Sequence, residues 1–459
     1  MLPDAFKKQL ELSLGPERAG EVISIISSTP ASVAIRINPF KIKEFPAQFS
    51  SGTGTFSRWG RLLPERPSFV HDPLFHAGAY YVQEASSMYL ESIFPLMQEM
   101  RAESAAGAFA VLDLCAAPGG KSTHLLSMLK DIPDALLVSN EISRTRASVL
   151  CGNISKWGAA NVMVTSNDPA GFRCLEGFFD VIVVDAPCSG EGMFRKDPEA
   201  VAQWSEDNVR LCAARQRRIL ADILPCLRPS GLLVYSTCTF NHCEDEDNVA
   251  WLSANFGFKV LDCKHFYPGD PKAGEGFFFS AMRREGNPEG SLRVKKSRSA
   301  RQGQYQIWKD KLPWVRDGFE VYRRGGQLKA FPAGVAESML AVEEMQSLKI
   351  LMSGTAVAEI MDGKGGSKSG GRPVVLPQYS LIQSEVYRRG SLPEVEVSME
   401  TAMDYMQRKA ILLQGAPTGY VVLTYGGIPF GLVKNIGQRC NSLLPPSLRV
   451  RTEMPSEKD

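Results

Sequence analysis

Two cysteines of this chain each follow a short apolar stretch, and a thiolate is among the strongest nucleophiles that a side chain provides. Cys188 lies in DAPCSGEGMFRKDP (Asp185 to Pro198), and Cys238 ends GLLVYSTC. If the two stretches are neighbouring strands of a doubly wound sheet, both thiols face one cleft with Asp185. A single cysteine is more often a small buried hydrophobic residue, and two can form a redox pair. The redox interpretation leaves Asp185 without a task, so the pattern favours nucleophilic chemistry.

A glycine-containing turn lies upstream of the cysteines. It separates the apolar stretch AFAVLDL from a helical pattern and consists of Cys115, Ala116, Ala117, Pro118, Gly119, Gly120 and Lys121. Small residues let the backbone turn tightly beside a ligand, and the N-terminus of the next helix offers free N–H groups. The turn is not a P-loop, because the earlier glycine of that motif is missing. By itself, a Gly-Gly turn is more often structural.

Two acidic residues favour a ligand at this turn. Glu141 ends the next strand pattern, DALLVSNE, about 20 residues on, where an acid binds ribose hydroxyls in dinucleotide-binding folds. Asp168 ends the third strand pattern, NVMVTSND. With both acids behind the turn, we predict a nucleoside cofactor that carries no polyphosphate.

A sheet is needed to bring these residues together, and the middle of the chain has the pattern of one. Apolar stretches of strand length alternate with helical patterns, as in a parallel sheet with helices on both faces. An amphipathic helix is predicted at roughly 205–227, closed by Pro229 and Gly231. EDEDNVAWLSANFG is predicted as a helix with an acidic first turn, followed by a strand pair, FKVLDCKHF and GEGFFFSAMRR. The predicted fold class is α/β, with the candidate residues at the carboxyl ends of strands.

The 459 residues exceed what one hydrophobic core usually spans. We predict an N-terminal region at 1–70, with an amphipathic helix and the strand SVAIRIN, and an α/β domain at 71–286. A basic linker is predicted at 287–325 and a separate β-rich module at 326–459, which contains GYVVLTYGGIPFGLVKN.

The composition is ordinary for a globular protein, with 44% hydrophobic and 22% charged residues. The net charge of +2 neither requires nor excludes nucleic acid, because a basic patch can be hidden in a neutral total. The first residues lack the apolar core of a signal peptide, and no apolar stretch has the length of a membrane span. The ten cysteines lack C-x-x-C spacing, so we predict a cytoplasmic protein with reduced thiols.

At these motifs the sequence resembles the NOL1/NOP2/Sun family of RNA 5-methylcytosine methyltransferases. The resemblance covers roughly residues 30 to 286 and runs through CAAPGGK, Glu141, Asp168, DAPCSGEGMFRKDP and STCTFNHCEDEDNV, with GAYYVQEASSM before the sheet and GEGFFFSAMRR at its end. The C-terminal part looks like that of the bacterial RsmF (YebU) group. There, GYVVLTYGGIPFGLVKNIGQRCNSLLPPSLR is similar to a PUA-like RNA-binding module.

The resemblance implies a Rossmann-like class I methyltransferase domain with an N-terminal RNA-facing extension and a C-terminal PUA-like module. It implies that Cys238 is the nucleophile and that Cys188 assists product release. The residues that it implies for binding S-adenosyl-L-methionine are Cys115 to Lys121, Glu141, Asp168 and Asp185.

The thiols have a specific use in such a reaction. Carbon 5 of cytosine is too weak a nucleophile to accept a methyl group directly, and a thiolate that adds to carbon 6 turns the ring into an enamine. Asp185 could hydrogen-bond the ring near nitrogen 3, on an edge that the base exposes once it is flipped out. A base must then remove the proton from carbon 5, and Cys188 is a candidate for this step.

Other side chains allow two interpretations. Arg36 and Asn38 either contact RNA or cap the end of a strand, and Tyr80 and Tyr81 either stack on a base or pack, with packing favoured.

Four more residues lie near the two cysteines in the sequence. Arg195 and Lys196 are candidate phosphate contacts. His242 and Cys243 lie close to Cys238 but lack a second ligand pair, so no metal is predicted.

The expected substrate is a cytosine in 16S ribosomal RNA, as RNA or as the small ribosomal subunit, and the expected state is a monomer. The same chemistry on transfer RNA is one alternative. A non-catalytic ribosome-assembly factor that binds RNA and the cofactor is the other, and it would need neither thiol.

Overall fold

The computed structural model describes residues 1–103, 107–285, 305–345, 347–361 and 373–452. The N-terminal part has three α-helices and a four-stranded sheet of order β2-β3-β1-β4. Its elements are α1 (Asp4–Leu14), α2 (Pro16–Ser28), β1 (Val33–Ile37), β2 (Thr53–Gly54), β3 (Gly60–Leu63), α3 (Pro73–His76) and β4 (Tyr80–Val82). The predicted N-terminal helix and the strand SVAIRIN are both present.

The central part alternates strands and helices as the sequence predicts. Its elements are α4 (Phe94–Glu103), β5 (Phe109–Asp113), α5 (Gly120–Leu129), β6 (Ala135–Asn140), α6 (Arg144–Trp157), β7 (Val162–Thr165), β8 (Phe179–Asp185), α7 (Pro198–Gln203), α8 (Glu206–Ile223), β9 (Leu227–Thr237), α9 (Glu246–Phe256), β10 (Phe258–Phe266) and β11 (Phe277–Arg284). The strands form one sheet in the order β10-β11-β9-β8-β5-β6-β7. The five strands from β9 to β7 are parallel, and β10 and β11 are antiparallel. The strand order reverses between β5 and β8, which is where such sheets bind ligands.

Helices cover both faces of the central sheet because its strands are apolar on both sides. Val111 of β5 packs with Leu125 of α5 and Leu150 of α6 on one face. The next residue, Leu112, packs with Leu220 of α8 on the other face. All of these side chains are less than 2% exposed, so the sheet forms a fixed base for the loops at its carboxyl ends.

The C-terminal part contains two further sheets. Its elements are β12 (Gln306–Ile307), β13 (Phe319–Arg324), β14 (Gln327–Pro332), α10 (Ala336–Glu343), β15 (Ile350–Ser353), β16 (Thr355–Met361), β17 (Val374–Pro377), α11 (Tyr379–Gln383), β18 (Glu394–Glu396), α12 (Met399–Met406), β19 (Gly419–Tyr425), β20 (Ile428–Asn435) and β21 (Cys440–Ser442). One sheet has the order β12-β13-β14-β16-β17 and the other β18-β19-β20-β21. β15 pairs with β7 and becomes the eighth strand of the central sheet.

The sequence predicts a linker at 287–325 and one module at 326–459, and the structure distributes these ranges differently. The first half of the linker, up to residue 304, lies outside the described residues, whereas β12 and β13 pair with each other within its second half. Residues 326–452 contribute strands to three sheets. The four-stranded C-terminal sheet also shares a hydrophobic core with the N-terminal sheet, through Phe430 and Tyr80 among others. It is therefore not separate from the rest of the chain.

Two predicted helix boundaries are also corrected. The helix predicted at 205–227 ends at Ile223, because Pro225 cannot continue the backbone hydrogen bonds, and β9 then begins at Leu227. The acidic segment EDED is only partly helical, because α9 begins at Glu246. In the described part of the chain, no helix combines the length and the hydropathy of a membrane span.

Candidate functional site

The structure brings the two cysteines into contact at the carboxyl edge of the central sheet. β8 and β9 are parallel neighbours, and Asp185 pairs with Ser236 across them. The Sγ atoms of Cys188 and Cys238 are 2.9 Å apart, and both residues are partly buried free thiols. The hydrogen bond with Cys238, together with burial, raises the pKa of Cys188 well above its ordinary value. The two thiols therefore interact directly at the carboxyl ends of neighbouring strands.

Asp185 connects the cysteines to the glycine-containing turn. Its Oδ1 atom accepts a hydrogen bond of 2.8 Å from the hydroxyl of Ser236. Its Oδ2 atom lies 2.8 Å from Nζ of Lys121, in the first turn of α5. One carboxylate thus fixes the ends of β8 and β9 relative to the turn.

The turn itself is held mainly through its backbone. The N–H of Ala116 donates to the carbonyl of Asn140, and the carbonyl of Ala117 accepts from Arg146, both at 2.8 Å. The peptide bond between Ala117 and Pro118 is cis. Gly119 has a φ of +113°, a conformation that favours glycine, and α5 starts immediately after it. The backbone of this turn can therefore approach a ligand closely.

Asp113, at the end of β5, was not among the candidates from the sequence. It is 0% exposed, and its Oδ2 atom accepts a hydrogen bond of 2.6 Å from Ser122. Its Oδ1 atom has no hydrogen-bond partner among the described residues. Burial raises the pKa of Asp113 to about 7. A polar ligand at the turn could supply the missing hydrogen-bond partner of Asp113. The sequence could have identified Asp113 as a candidate, because it lies at the end of a predicted strand.

The two acids predicted to follow β6 and β7 lie where the sequence places them. Glu141 is 3% exposed, accepts a hydrogen bond from the N–H of Ser143 and pairs with Arg146 at 3.2 Å. The carboxylate of Asp168 is more exposed and pairs with Arg218 at 3.3 Å. Each carboxylate has further lone pairs for ligand hydroxyls or N–H groups. Together with the turn, the two acids could hold a nucleoside.

Arg195 does not have the predicted role of a phosphate contact. Its Nε donates to Glu275 at 2.6 Å and its Nη1 donates to the hydroxyl of Thr29 at 2.9 Å. The side chain is 7% exposed, because it is buried between the segment before β11 and the end of α2. Lys196 lies 3.9 Å from Glu275 and is more exposed.

Arg36 and Asn38 have structural roles and do not contact RNA. Both residues are 0% exposed, so they do not reach a surface that RNA contacts. Arg36 lies over the ring of Trp157 and donates to Gln83. The favoured packing role is confirmed for Tyr80, which is also 0% exposed, whereas Tyr81 is only partly buried.

One group in the described part of the chain brings possible metal ligands together. Atoms of Asp245, Glu246 and His265 lie within 4.8 Å of one another. The carboxylate of Glu246 is already contacted by His265 at 2.7 Å and by His242 at 3.0 Å. Both carboxylate oxygens of Glu246 are therefore already in contact with a histidine ring. Cys243 does not belong to the group.

The parallel strand order, the glycine-containing turn and the acids at the strand ends define the class of Rossmann-like methyltransferases. The sequence model described as 16S rRNA methyltransferase RsmB/F matches residues 103–283. The model of the RsmF N-terminal domain matches residues 2–85, and that of the RsmF PUA domain matches residues 392–450. The chain belongs to the RsmF family of S-adenosylmethionine-dependent methyltransferases.

Curated relatives and a solved structure agree with this assignment. The chain is 30% identical to ribosomal RNA small subunit methyltransferase F of Pectobacterium atrosepticum, over 81% of this chain and 78% of that one. It is 28% identical to the Escherichia coli O7:K1 protein of the same name, over 97% and 96%. A crystal structure of a methyltransferase homologue from Pyrococcus horikoshii is 25% identical with a TM-score of 0.51, over 61% of this chain and 95% of that one.

Proposed function

We propose that this protein methylates carbon 5 of a cytosine in 16S ribosomal RNA and that Cys238 is its nucleophile. The observation that carries the proposal is the contact of 2.9 Å between the thiols of Cys188 and Cys238, beside Asp185. Cytosine methylation at carbon 5 requires both a nucleophile and a group that removes a proton. Two thiols at one strand edge can divide these tasks, whereas a methyltransferase that acts on a nitrogen or oxygen atom needs neither.

The cofactor site is proposed at the carboxyl ends of β5 to β8. S-adenosyl-L-methionine supplies the methyl group when bound. The residues that would hold it are Cys115, Ala116, Ala117, Pro118, Gly119, Gly120, Lys121, Glu141, Asp168 and Asp185. The buried Glu141 suits the ribose hydroxyls. The Oδ1 atom of Asp113, which has no hydrogen-bond partner among the described residues, supports a polar ligand at the turn.

The cysteines take their roles as follows. The thiolate of Cys238 adds to carbon 6 of the flipped base, and the electron pair displaced from the ring makes carbon 5 nucleophilic. Asp185 hydrogen-bonds the ring near nitrogen 3. After methylation, Cys188 assists removal of the proton from carbon 5, and the bond between carbon 6 and Cys238 then breaks.

The ribosomal substrate is supported by the relatives, whose names state small-subunit ribosomal RNA. The PUA match at residues 392–450 supports RNA binding by the four-stranded C-terminal sheet. Transfer RNA remains the alternative substrate for the same chemistry.

The test uses labelled S-adenosylmethionine with 16S ribosomal RNA, 30S subunits or transfer RNA, with the wild type and the Cys238→Ser variant. We expect 5-methylcytosine in ribosomal RNA or 30S subunits and a loss of at least about 1,000-fold in the variant. Label found only in transfer RNA would support the proposed chemistry but would identify transfer RNA as the substrate. Cofactor binding without label in any RNA would favour the assembly-factor alternative, and full activity of the variant would exclude Cys238 as the nucleophile.

A further inference from the structure

Two buried carboxylates lie between the loops that carry the cysteines. We name residues 186–197 the Cys188 loop and residues 238–245 the Cys238 loop. Glu191 belongs to the first and is 1% exposed, and Glu244 belongs to the second and is 0% exposed. Neither acid has a task in the proposed reaction, and burying a carboxylate is costly unless hydrogen bonds compensate it. Their contacts therefore need an explanation.

Glu191 holds the Cys238 loop from the opposite side. Its Oε2 atom accepts hydrogen bonds of 2.7 Å from the hydroxyl of Thr239 and from the N–H of Phe240. Its Oε1 atom accepts from the indole of Trp204 at 2.9 Å and from Gln9 of α1 at 3.0 Å. The residue directly after Cys238 is thus fixed by an acid of the other loop.

Glu244 does the reverse and holds the Cys188 loop. Its Oε2 atom accepts hydrogen bonds from the N–H of Ser189 at 3.0 Å and from Gln216 at 2.7 Å. Gln216 also donates to the carbonyl of Pro187 at 3.1 Å. The residues on both sides of Cys188 are therefore tied, directly or through Gln216, to an acid of the Cys238 loop.

The two halves of this arrangement meet at Asn241. Its Nδ2 atom lies 2.8 Å from Glu244 Oε1 and 3.1 Å from Glu191 Oε1, so one amide bridges both carboxylates. The N–H of Gly192 donates to the carbonyl of Cys238 at 2.8 Å, and a Cβ at this glycine would lie only 2.9 Å from that carbonyl oxygen. The loops are in direct contact as well as bridged.

From these contacts we infer that Glu191 and Glu244 are positioning residues that hold the two thiols at contact distance. Hydrogen-bond donors from the opposite loop fix each carboxylate. Among the described residues, every hydrogen-bond partner of these two acids is a neutral N–H or O–H group. Such bonds are directional, so they determine loop geometry more closely than a solvent-exposed ion pair would. The inference rests on the proposed function only for the tasks of the two thiols.

The test compares how fast the two thiols form a disulfide, a rate that depends on how closely the loops hold them. In Glu191→Gln and Glu244→Gln an amide N–H₂ faces groups that are themselves donors, so the loops must separate. Diamide takes two electrons and two protons from two thiols, which leaves one S–S bond, and peptide mass mapping quantifies the Cys188–Cys238 pair. We expect each variant to form this pair about 10-fold more slowly than the wild type. The kcat for methyl transfer should fall about 100-fold, with the KM for the cofactor unchanged.

Asp180→Asn is the matched control, because Asp180 is a buried carboxylate at the opposite end of the same strand, β8. It accepts from the N–H of Ala110 and pairs with Arg228, far from the cysteines along the strand. The control should form the disulfide at the wild-type rate even where its urea midpoint falls. If a glutamine variant does not fold, Thr239→Val removes one donor to Glu191 and keeps the side-chain shape.

Three outcomes separate this inference from the proposed function. Wild-type rates of disulfide formation in folded variants would overturn the positioning role, and so would an equal slowing in Asp180→Asn. If the wild-type protein labels no RNA, the proposed function fails, and the diamide comparison still decides whether the two acids position the thiols.

Discussion

The cysteine edge of the central sheet and the four-stranded C-terminal sheet are held together by different interactions. At the cysteine edge, buried polar groups such as Glu191, Asn241 and Glu244 hydrogen-bond one another across two loops. In the C-terminal sheet, apolar residues such as Phe430 and Val421 pack against the N-terminal sheet. Hydrogen bonds fix direction and distance, whereas apolar burial is non-directional and roughly proportional to area.

This difference predicts which substitutions affect the reaction and which affect stability. A substitution at the cysteine edge should impair the reaction more than the stability, because the geometry of a few atoms is lost. A substitution in the shared C-terminal core should lower stability, because buried area is lost. The following predictions test this contrast, from the largest expected effect to the smallest.

Cys188→Ser should have the largest effect. If Cys188 assists proton removal from carbon 5, the variant adds to the base through Cys238 but releases the product slowly. We expect a covalent protein–RNA complex that survives denaturing gel electrophoresis and a fall in turnover of at least about 100-fold. Cys174→Ser, at an exposed cysteine, should turn over like the wild type. A complex that persists in a Cys188→Ser, Cys238→Ser double variant would contradict the assignment.

Phe430→Ala should lower the stability of the shared C-terminal core. Phe430 is 0% exposed, and its ring lies 5.6 Å from that of Tyr405 in an edge-to-face arrangement. We expect the free energy of unfolding to fall by about 3–5 kcal/mol, measured in urea by tryptophan fluorescence and circular dichroism. Leu448→Ala in the same sheet region is the control, because Leu448 is 37% exposed and its loss should cost about 0.5 kcal/mol or less. Equal effects of the two changes would refute the proposed shared core.

Asp113→Asn should change how stability depends on pH. Burial raises the pKa of Asp113 from 3.8 to about 7 in the folded protein. A group whose pKa is raised by folding contributes its full stabilisation at a pH below its pKa in the unfolded chain. This stabilisation is lost as the pH rises through the pKa in the folded protein. Asparagine does not ionise, so the urea midpoint of the variant should rise relative to the wild type between about pH 4 and about pH 8. A difference that stays constant over this range would show that Asp113 does not titrate there.

Substitutions at two helix N-caps should have the smallest effects. One cap lies in the central part and the other in the C-terminal part, so the pair compares the two regions. Ser205 accepts a hydrogen bond from the N–H of Asn208 at the start of α8, and Ser398 accepts one from Thr401 at the start of α12. Replacing either serine with alanine should cost about 1 kcal/mol of unfolding free energy. Methyl transfer should stay unchanged in both variants. A marked loss of activity in Ser205→Ala alone would show that α8 transmits strain to the cysteine edge.

The sequence by itself determined the α/β order of the central part. Apolar stretches of strand length between helical patterns are local properties, and the prediction placed β5 to β11 and their loops. It also placed the cysteines and acids at strand ends, since each follows directly from where an apolar stretch stops. The pairing of Cys188 with Cys238 followed from the usual strand order, and β8 and β9 are indeed neighbours.

Only the tertiary structure decided which polar residues are buried and what they contact. Arginine is usually a surface residue, yet two arginines are buried by long-range contacts. Arg36 lies over the ring of Trp157, and Arg195 pairs with Glu275. Glu244 lies in an acidic segment that suits a helix start, but it also accepts hydrogen bonds from Ser189 and Gln216, which are far away along the chain. In the same way, β15 joins the central sheet from about 190 residues beyond its partner β7. Periodicity describes only neighbours along the chain, so contacts made across the fold leave no local signal in the sequence.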